Sequence, residues 1–304
     1  IVNDGSIAID ALASAHATVG AAHATATNKS GVQQSAVGHG GAATASITGT
    51  GTLDIGALAH AVSTGSSADA FAYQKSGLRQ HASATGGGDA SAVIDLAGID
   101  IHATALAAGT SALAQAHNKS GINQLANASS GNANASITLD GGSIVANASA
   151  NATAGSGRAS ALVASIQGSG PALIQEAIAT GGDATANITN TGALTIGARA
   201  HAMADETALA FATANGIGQI ADAFGGGDAN ATISNATGAT LAVLASATAT
   251  GATAVARPNV GFGLVQIASA TGTAGTPGGG NANANANSAS NSAAIRGFMG
   301  IPWR

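Results

Sequence analysis

A chain of 304 residues with 8% charged and 2% aromatic residues, 44 glycines and a net charge of −5 cannot build an ordinary domain core, since about a quarter of residues are normally charged and large apolar side chains fill the interior. The mean hydropathy of +0.27 with so little charge also excludes the usual disordered chain, which is weakly hydrophobic and highly charged. Cysteine is absent, which removes disulfides and thiolate metal sites; the charge balance offers no basic patch for nucleic acid, and no apolar run approaches the roughly 20 residues of a membrane span.

The chain opens at Ile1 without a leader segment and reads as a mature or excerpted chain. Repeat language begins at once, with Ile7 and Ile9 in phase. The phrase Ser30-Gly31-Val32-Gln33-Gln34 returns at Ser76–Gln80 and Ser120–Gln124, and in looser form at Leu173–Gln175, Ile217–Gln219 and Leu264–Gln266. Each Gln is followed by a Gly-rich break and an Ala-x-Ala-x-Ile phrase ending at Ile47, Ile94, Ile137, Ile188 and Ile233. A second phrase, Gly-x-Leu-x-Ile followed by alternating Ala, fills Gly51–Ala61 and Gly192–Ala202. Aligning the halves gives an anchor series: Ile7, Val32, Leu53, Leu78, Ile99, Ile122, Ile144, Leu173, Leu194, Ile217, Leu241 and Leu264. The long interval after Ile144 reads as a loop insertion around Gly155–Pro171.

Ala favours helices, but the period here is two. Leu194, Ile196, Ala198, Ala200 and Ala202 alternate with Thr195, Gly197, Arg199 and His201, which is strand patterning. The expectation is therefore an all-β chain: a β-solenoid of about 12 rungs of about 23 residues, each with two strands and two turns, paired into about 46-residue super-repeats. Residues 1–290 form one repeat domain and 291–304 an apolar tail. The expected core is Ile7, Val32, Gln34, Leu53, Ile55, Leu78, Gln80, Ile99, Ile122, Gln124, Ile137, Gln175, Leu194, Gln219, Leu264 and Gln266. In the Gln-type rung the chain turns at Ser129–Asn132, so that Ile122 and Ile137 close one end of the core. Neighbouring rungs then carry Ile or Val beside each Gln, which predicts glutamines bonded to turn backbone and no continuous glutamine ladder.

Chemistry-bearing motifs are few. Gly86-Gly87-Gly88-Asp89, Gly181-Gly182-Asp183 and Gly225-Gly226-Gly227-Asp228 resemble calcium-binding nonapeptide turns but break their pattern, and are read as plain turns. His16, His23, His60, His102 and His201 fall opposite inward Ala, as do Phe71, Tyr73 and Phe211. The aromatics are candidates for lateral contacts. Lys29, Lys75 and Lys119 recur before Gln-type anchors and are expected to stack two rungs apart. With only Glu176 and Glu206 as glutamates, no nucleophile elbow and no phosphate loop, neither catalysis nor a metal or other cofactor is expected.

The run from Ser120-Gly121-Ile122-Asn123-Gln124 to Gly131-Asn132-Ala133-Asn134 resembles repeats of bacterial functional amyloids of the curli and Fap type. That resemblance implies extracellular subunits that stack into biofilm-matrix fibres. The Ala/Asn/Gly/Thr vocabulary also resembles β-strand-repeat adhesins and autotransporter passengers, which implies a cell-surface segment. The expected function is a secreted structural subunit whose partner is itself, head to tail, with other matrix or surface components as further partners. Ile295, Phe298, Met299, Ile301 and Trp303 are the expected assembly residues, clamping the junction or capping the end. A lesser alternative is an ice-binding solenoid, from the Thr25-Ala26-Thr27 and Thr248-Ala249-Thr250 phrases.

Overall fold

The computed structural model describes residues 1–164, 170–271 and 281–288. Its elements are all strands: β1 (Ser6–Ala17), β2 (Ala22–Asn28), β3 (Val32–His39), β4 (Ala43–Ser63), β5 (Ala68–Gln74), β6 (Leu78–Thr85), β7 (Ala90–Gly109), β8 (Ala112–Asn118) and β9 (Ile122–Ala128). There follow β10 (Ala133–Ala152), β11 (Ser156–Val163), β12 (Leu173–Thr180), β13 (Ala184–Met203), β14 (Thr207–Phe224), β15 (Ala229–Asn235), β16 (Thr240–Thr250), β17 (Thr253–Thr271) and β18 (Ala282–Ser288). Inward residues, mostly Ala, alternate with outward ones, so burial has a period of two, as in β10 and β13, where Thr, Asn and Ser supply much of the outer face.

The strands form two large parallel sheets. One has eight strands, built on the path β1-β4-β7-β10-β13-β15-β18 with β16 beside β13; the other has ten, in two arms, β2-β5-β8-β11 and β3-β6-β9-β12, that meet at β14 and β17. This overturns the predicted solenoid of about 12 rungs. A 23-residue half-repeat does not lie on its sequence neighbour; it crosses to the opposite sheet. Ile7 pairs with Leu53, and Leu53 with Ile99, while Val32 pairs with Leu78, and Leu78 with Ile122. The hydrogen-bonded neighbour is thus a whole double repeat away. Val32, Leu78, Ile122, Leu173, Ile217 and Leu264 stand in one row, so the array is six strands deep, about 24 Å at ~4.8 Å per strand, under half the length 12 rungs would require.

Other boundaries shift with it. Gly51 does not separate two strands: β4 runs through it, with a register irregularity between Gly49 and Thr52. Ile144 pairs with Ile101 and Ile196, while Gly142 holds the place opposite Ile99 and Leu194, so the anchor series slips by two residues there. The supposed loop at Gly155–Pro171 contains strand β11. Lys29, Lys75 and Lys119 follow residues paired one strand apart, not two. The turn at Ser129–Asn132 joins β9 to β10 as read from sequence.

The interior divides into two clusters. The larger holds Leu53, Ile55, Ile99, Ile101, Ile122, Ile137 and their alanines. The smaller is made only of alanines, such as Ala82, Ala92, Ala126, Ala135 and Ala177. A buried methyl contributes only about 0.8 kcal/mol, so cohesion comes from repetition along the rows and from the parallel hydrogen-bond ladders. Among the described residues no helix is long and apolar enough to cross a membrane.

Candidate assembly site

Directly beyond that apolar row, one inward position of the ten-stranded sheet is always glutamine. Gln34, Gln80, Gln124, Gln175, Gln219 and Gln266 are paired strand to strand, and the middle four are fully buried. The amides form a continuous ladder. Gln80 Nε2 donates to Gln34 Oε1 (3.0 Å), Gln124 to Gln80 (2.9 Å), Gln175 to Gln124 (2.8 Å), Gln219 to Gln175 (2.8 Å) and Gln266 to Gln219 (2.9 Å). The expectation that no such ladder exists was wrong, because it placed Ile and Val on the adjacent strand when they lie on the facing sheet.

The first five Nε2 groups also donate across the core to a carbonyl just before the Ala-x-Ala-x-Ile isoleucine: Gln34 to Ser46 (2.9 Å), Gln80 to Val93 (2.8 Å), Gln124 to Ser136 (2.9 Å), Gln175 to Asn187 (2.9 Å) and Gln219 to Thr232 (2.9 Å). The expected bonds to turn backbone are replaced by bonds to strand carbonyls of the other sheet. Buried amides must find partners or cost about 1–3 kcal/mol; here they fasten the two sheets in one register.

A second ladder runs along the Gly-rich turns. Asp89 Oδ1 accepts the Asn132 N–H (2.8 Å), Asn132 Oδ1 that of Asp183 (2.9 Å), Asp183 Oδ1 that of Asp228 (2.8 Å) and Asp228 Oδ1 that of Asn281 (2.7 Å). These side chains staple one turn to the next. Beside them stands a glycine column, in which a Cβ on Gly131 would fall on the Gly88 carbonyl, one on Gly182 on Gly131, and one on Gly227 on Gly182. Gly86 (φ 81°) and Gly87 (φ 100°) supply the left-handed backbone that this turn needs.

Among the described residues both ends of the array are open. At the first strands Ile7, Ile9, Ala11, Ala13 and Val32 are only partly buried, although Leu53 and Ile55 behind them are 2% and 0% exposed. At the last, Leu264 is 44% exposed, while Leu78, Leu173 and Ile217 in its row are at most 1%. Ile7, Val32, Gln34, Leu264 and Gln266, predicted as core, are therefore core positions that lack one neighbouring layer. The predicted assembly residues Ile295, Phe298, Met299, Ile301 and Trp303 lie outside the described residues.

The outer faces carry scattered polar groups. His23 Nδ1 lies 2.9 Å from Asp69, and His102 Nδ1 3.2 Å from Asp54 Oδ1. Asp10, Asp54 and His102 gather over Gly56, which pairs with Asp10 and His102 and has no side chain to separate them. Their three donors could bind a divalent cation weakly from an open face. Phe71 and Tyr73 point outward with parallel rings 6.4 Å apart, and Phe211 lies between the guanidiniums of Arg158 and Arg257. Burial and Lys119 hold His117 below the usual imidazole range; burial and the neighbouring Asp222 raise Glu176. The Thr-x-Thr phrases fall on different sheets, Thr25 beside Phe71 and Thr248 beside His201, so no threonine rank forms.

Sequence reasoning missed the corner amides. Asn28 Nδ2 donates to Ile9 O (2.8 Å), Gln74 Nε2 to Ser76 O (2.7 Å) and Asn118 Nδ2 to Ile101 O (2.8 Å). Their recurrence immediately before Lys29, Lys75 and Lys119 was the available clue. The architecture is that of an all-β parallel repeat protein. No family model, curated protein or solved structure matches the chain.

Proposed function

We propose that the chain is a non-catalytic structural subunit of an extracellular filament, polymerising by head-to-tail stacking of the open ends of its two sheets. The observation that supports this most is the pair of edges that the described residues leave largely uncovered. Each presents an interrupted apolar row and unpaired backbone along strands of the same direction, and unpaired parallel edges are templates for further strands. The low charge leaves little repulsion to resist stacking. A contact between unlike ends does not close on itself and so propagates.

The same edges equally accept further repeats of a longer chain, the arrangement of a cell-surface passenger or adhesin, and that is the second reading. Electron microscopy and sedimentation of the purified chain separate them. A filament subunit forms filaments without partners, with an axial spacing of ~4.8 Å because strands lie across the axis. A chain that stays monodisperse at high concentration with both edges intact overturns the filament reading and leaves the passenger.

A further inference from the structure

Resting on that filament reading, we infer that the docking partner of the first-strand edge is the last-strand edge of a second copy, seated in a single register set by the side-chain amides. The inner ladder has polarity: every glutamine donates toward the lower-numbered repeat. Gln34 Nε2 makes one bond, to Ser46 O, where Gln124 Nε2 reaches Gln80, Ala92 and Ser136. A primary amide carries two N–H groups, so Gln34 keeps a donor. At the other end, Gln266 Oε1 receives no donor among the described residues, although Gln219 Oε1 receives Gln266. The free donor and the free acceptor lie at opposite ends of one line.

The turn ladder ends in the same way. Asn281 Oδ1 is the next acceptor of its series, and the Ala42 N–H, one residue before the Ala43–Ala90 pair, is the next donor. Extending the internal register by one strand sets Gln34 on Gln266, Val32 on Leu264 and Ile7 on Leu241. A slip of one residue turns the inward faces outward. A slip of two keeps the faces but places each terminal amide against an apolar side chain without a partner. Two features shape the junction: Pro258 offers no N–H to an incoming strand, and Ile1 and Val2 already hold the edge beside Ser46 and Thr48. Residues 286–288 of the first copy must yield that stretch.

The chain has no cysteine, so register can be read by disulfide trapping in filaments of the full chain. Gln33 and Val265 are outward neighbours of the two amides and both are exposed. In register their backbones would lie ~4.8 Å apart, inside the disulfide window of about 4.4–6.8 Å; two residues out of register they lie at about 8 Å, outside it. Gln33→Cys combined with Val265→Cys should give a ladder of covalent multimers on oxidation, and Ser35→Cys with Val265→Cys should not. Filaments that cross-link only in the offset pair or in neither pair overturn the register and leave the filament reading standing; cross-linking through Gln33→Cys alone, a head-to-head contact, overturns the head-to-tail stacking as well. Absence of filaments overturns both.

Discussion

Replacing Gln124 with Leu tests the amide ladder most directly. The substitution keeps the volume but removes a donor that serves Gln80 Oε1, Ala92 O and Ser136 O, and an acceptor that serves Gln175 Nε2. At least three buried groups, Gln80 Oε1, Ser136 O and one Gln175 N–H, lose their partner. At about 1–3 kcal/mol each the gross loss is about 3–9 kcal/mol, and the greater hydrophobicity of Leu returns about 1–2 kcal/mol. The expected net destabilisation is about 1–8 kcal/mol. Gln34→Leu in the monomer strands only Ser46 O and one Gln80 N–H at a half-open edge, so its cost is about 1–2 kcal/mol. Asn123→Ser on the outer face should stay within about 0.5 kcal/mol. Urea unfolding followed by circular dichroism, at concentrations below assembly, measures all three. Equal costs at Gln34 and Gln124 would refute the ladder and leave each glutamine bonded only to its local carbonyl.

Gly131→Ala drives a methyl into the Gly88 carbonyl and should cost about 1–3 kcal/mol in the same unfolding assay. Asp183→Ala strands the Asp228 N–H at an exposed turn and should cost about 0.5–1.5 kcal/mol. Because Glu176 is raised by burial and Asp222, the unfolded chain releases this proton first as pH climbs from the ordinary carboxylate range. Stability should therefore fall across that window, and Glu176→Gln should abolish the fall. His117 is lowered by burial and Lys119. On acidification through about 6.5 the unfolded chain takes up this proton first, so stability should drop, and thermal melts of His117→Gln should lose that part of the drop.

Strands, turns and inward faces were legible because each rests on a local pattern. Ala at every second position marks the buried face, and Ser129–Asn132 marks a turn in any reading. What sequence reasoning misjudged was which half-repeat touches which. Both halves offer an apolar anchor and a tract of Ala, so a step of 23 and a step of 46 satisfy the same hydrophobic pattern. The side chain two residues past the anchor distinguishes them, because Ile55 is content against any apolar neighbour whereas Gln80 needs another amide. Glutamines 44 to 51 residues apart were thus the evidence for the longer step. Ile144 misled for a different reason: Gly142 occupies the anchor place opposite Ile99, and no hydrophobic count registers a glycine.

Thr25, Phe71, Gln115, Ser160, Phe211 and Arg257 lie side by side in one row across the outer face of the ten-stranded sheet. The fold asks nothing of them beyond tolerance of a strand, since cohesion resides in the alanines and amides beneath. The exterior is therefore a lattice of addressable sites, ~4.8 Å apart along the array and about 6.8 Å apart along each strand. Its chemistry can be rewritten site by site, to hold a cation, an aromatic or a sugar, while the scaffold beneath keeps its register.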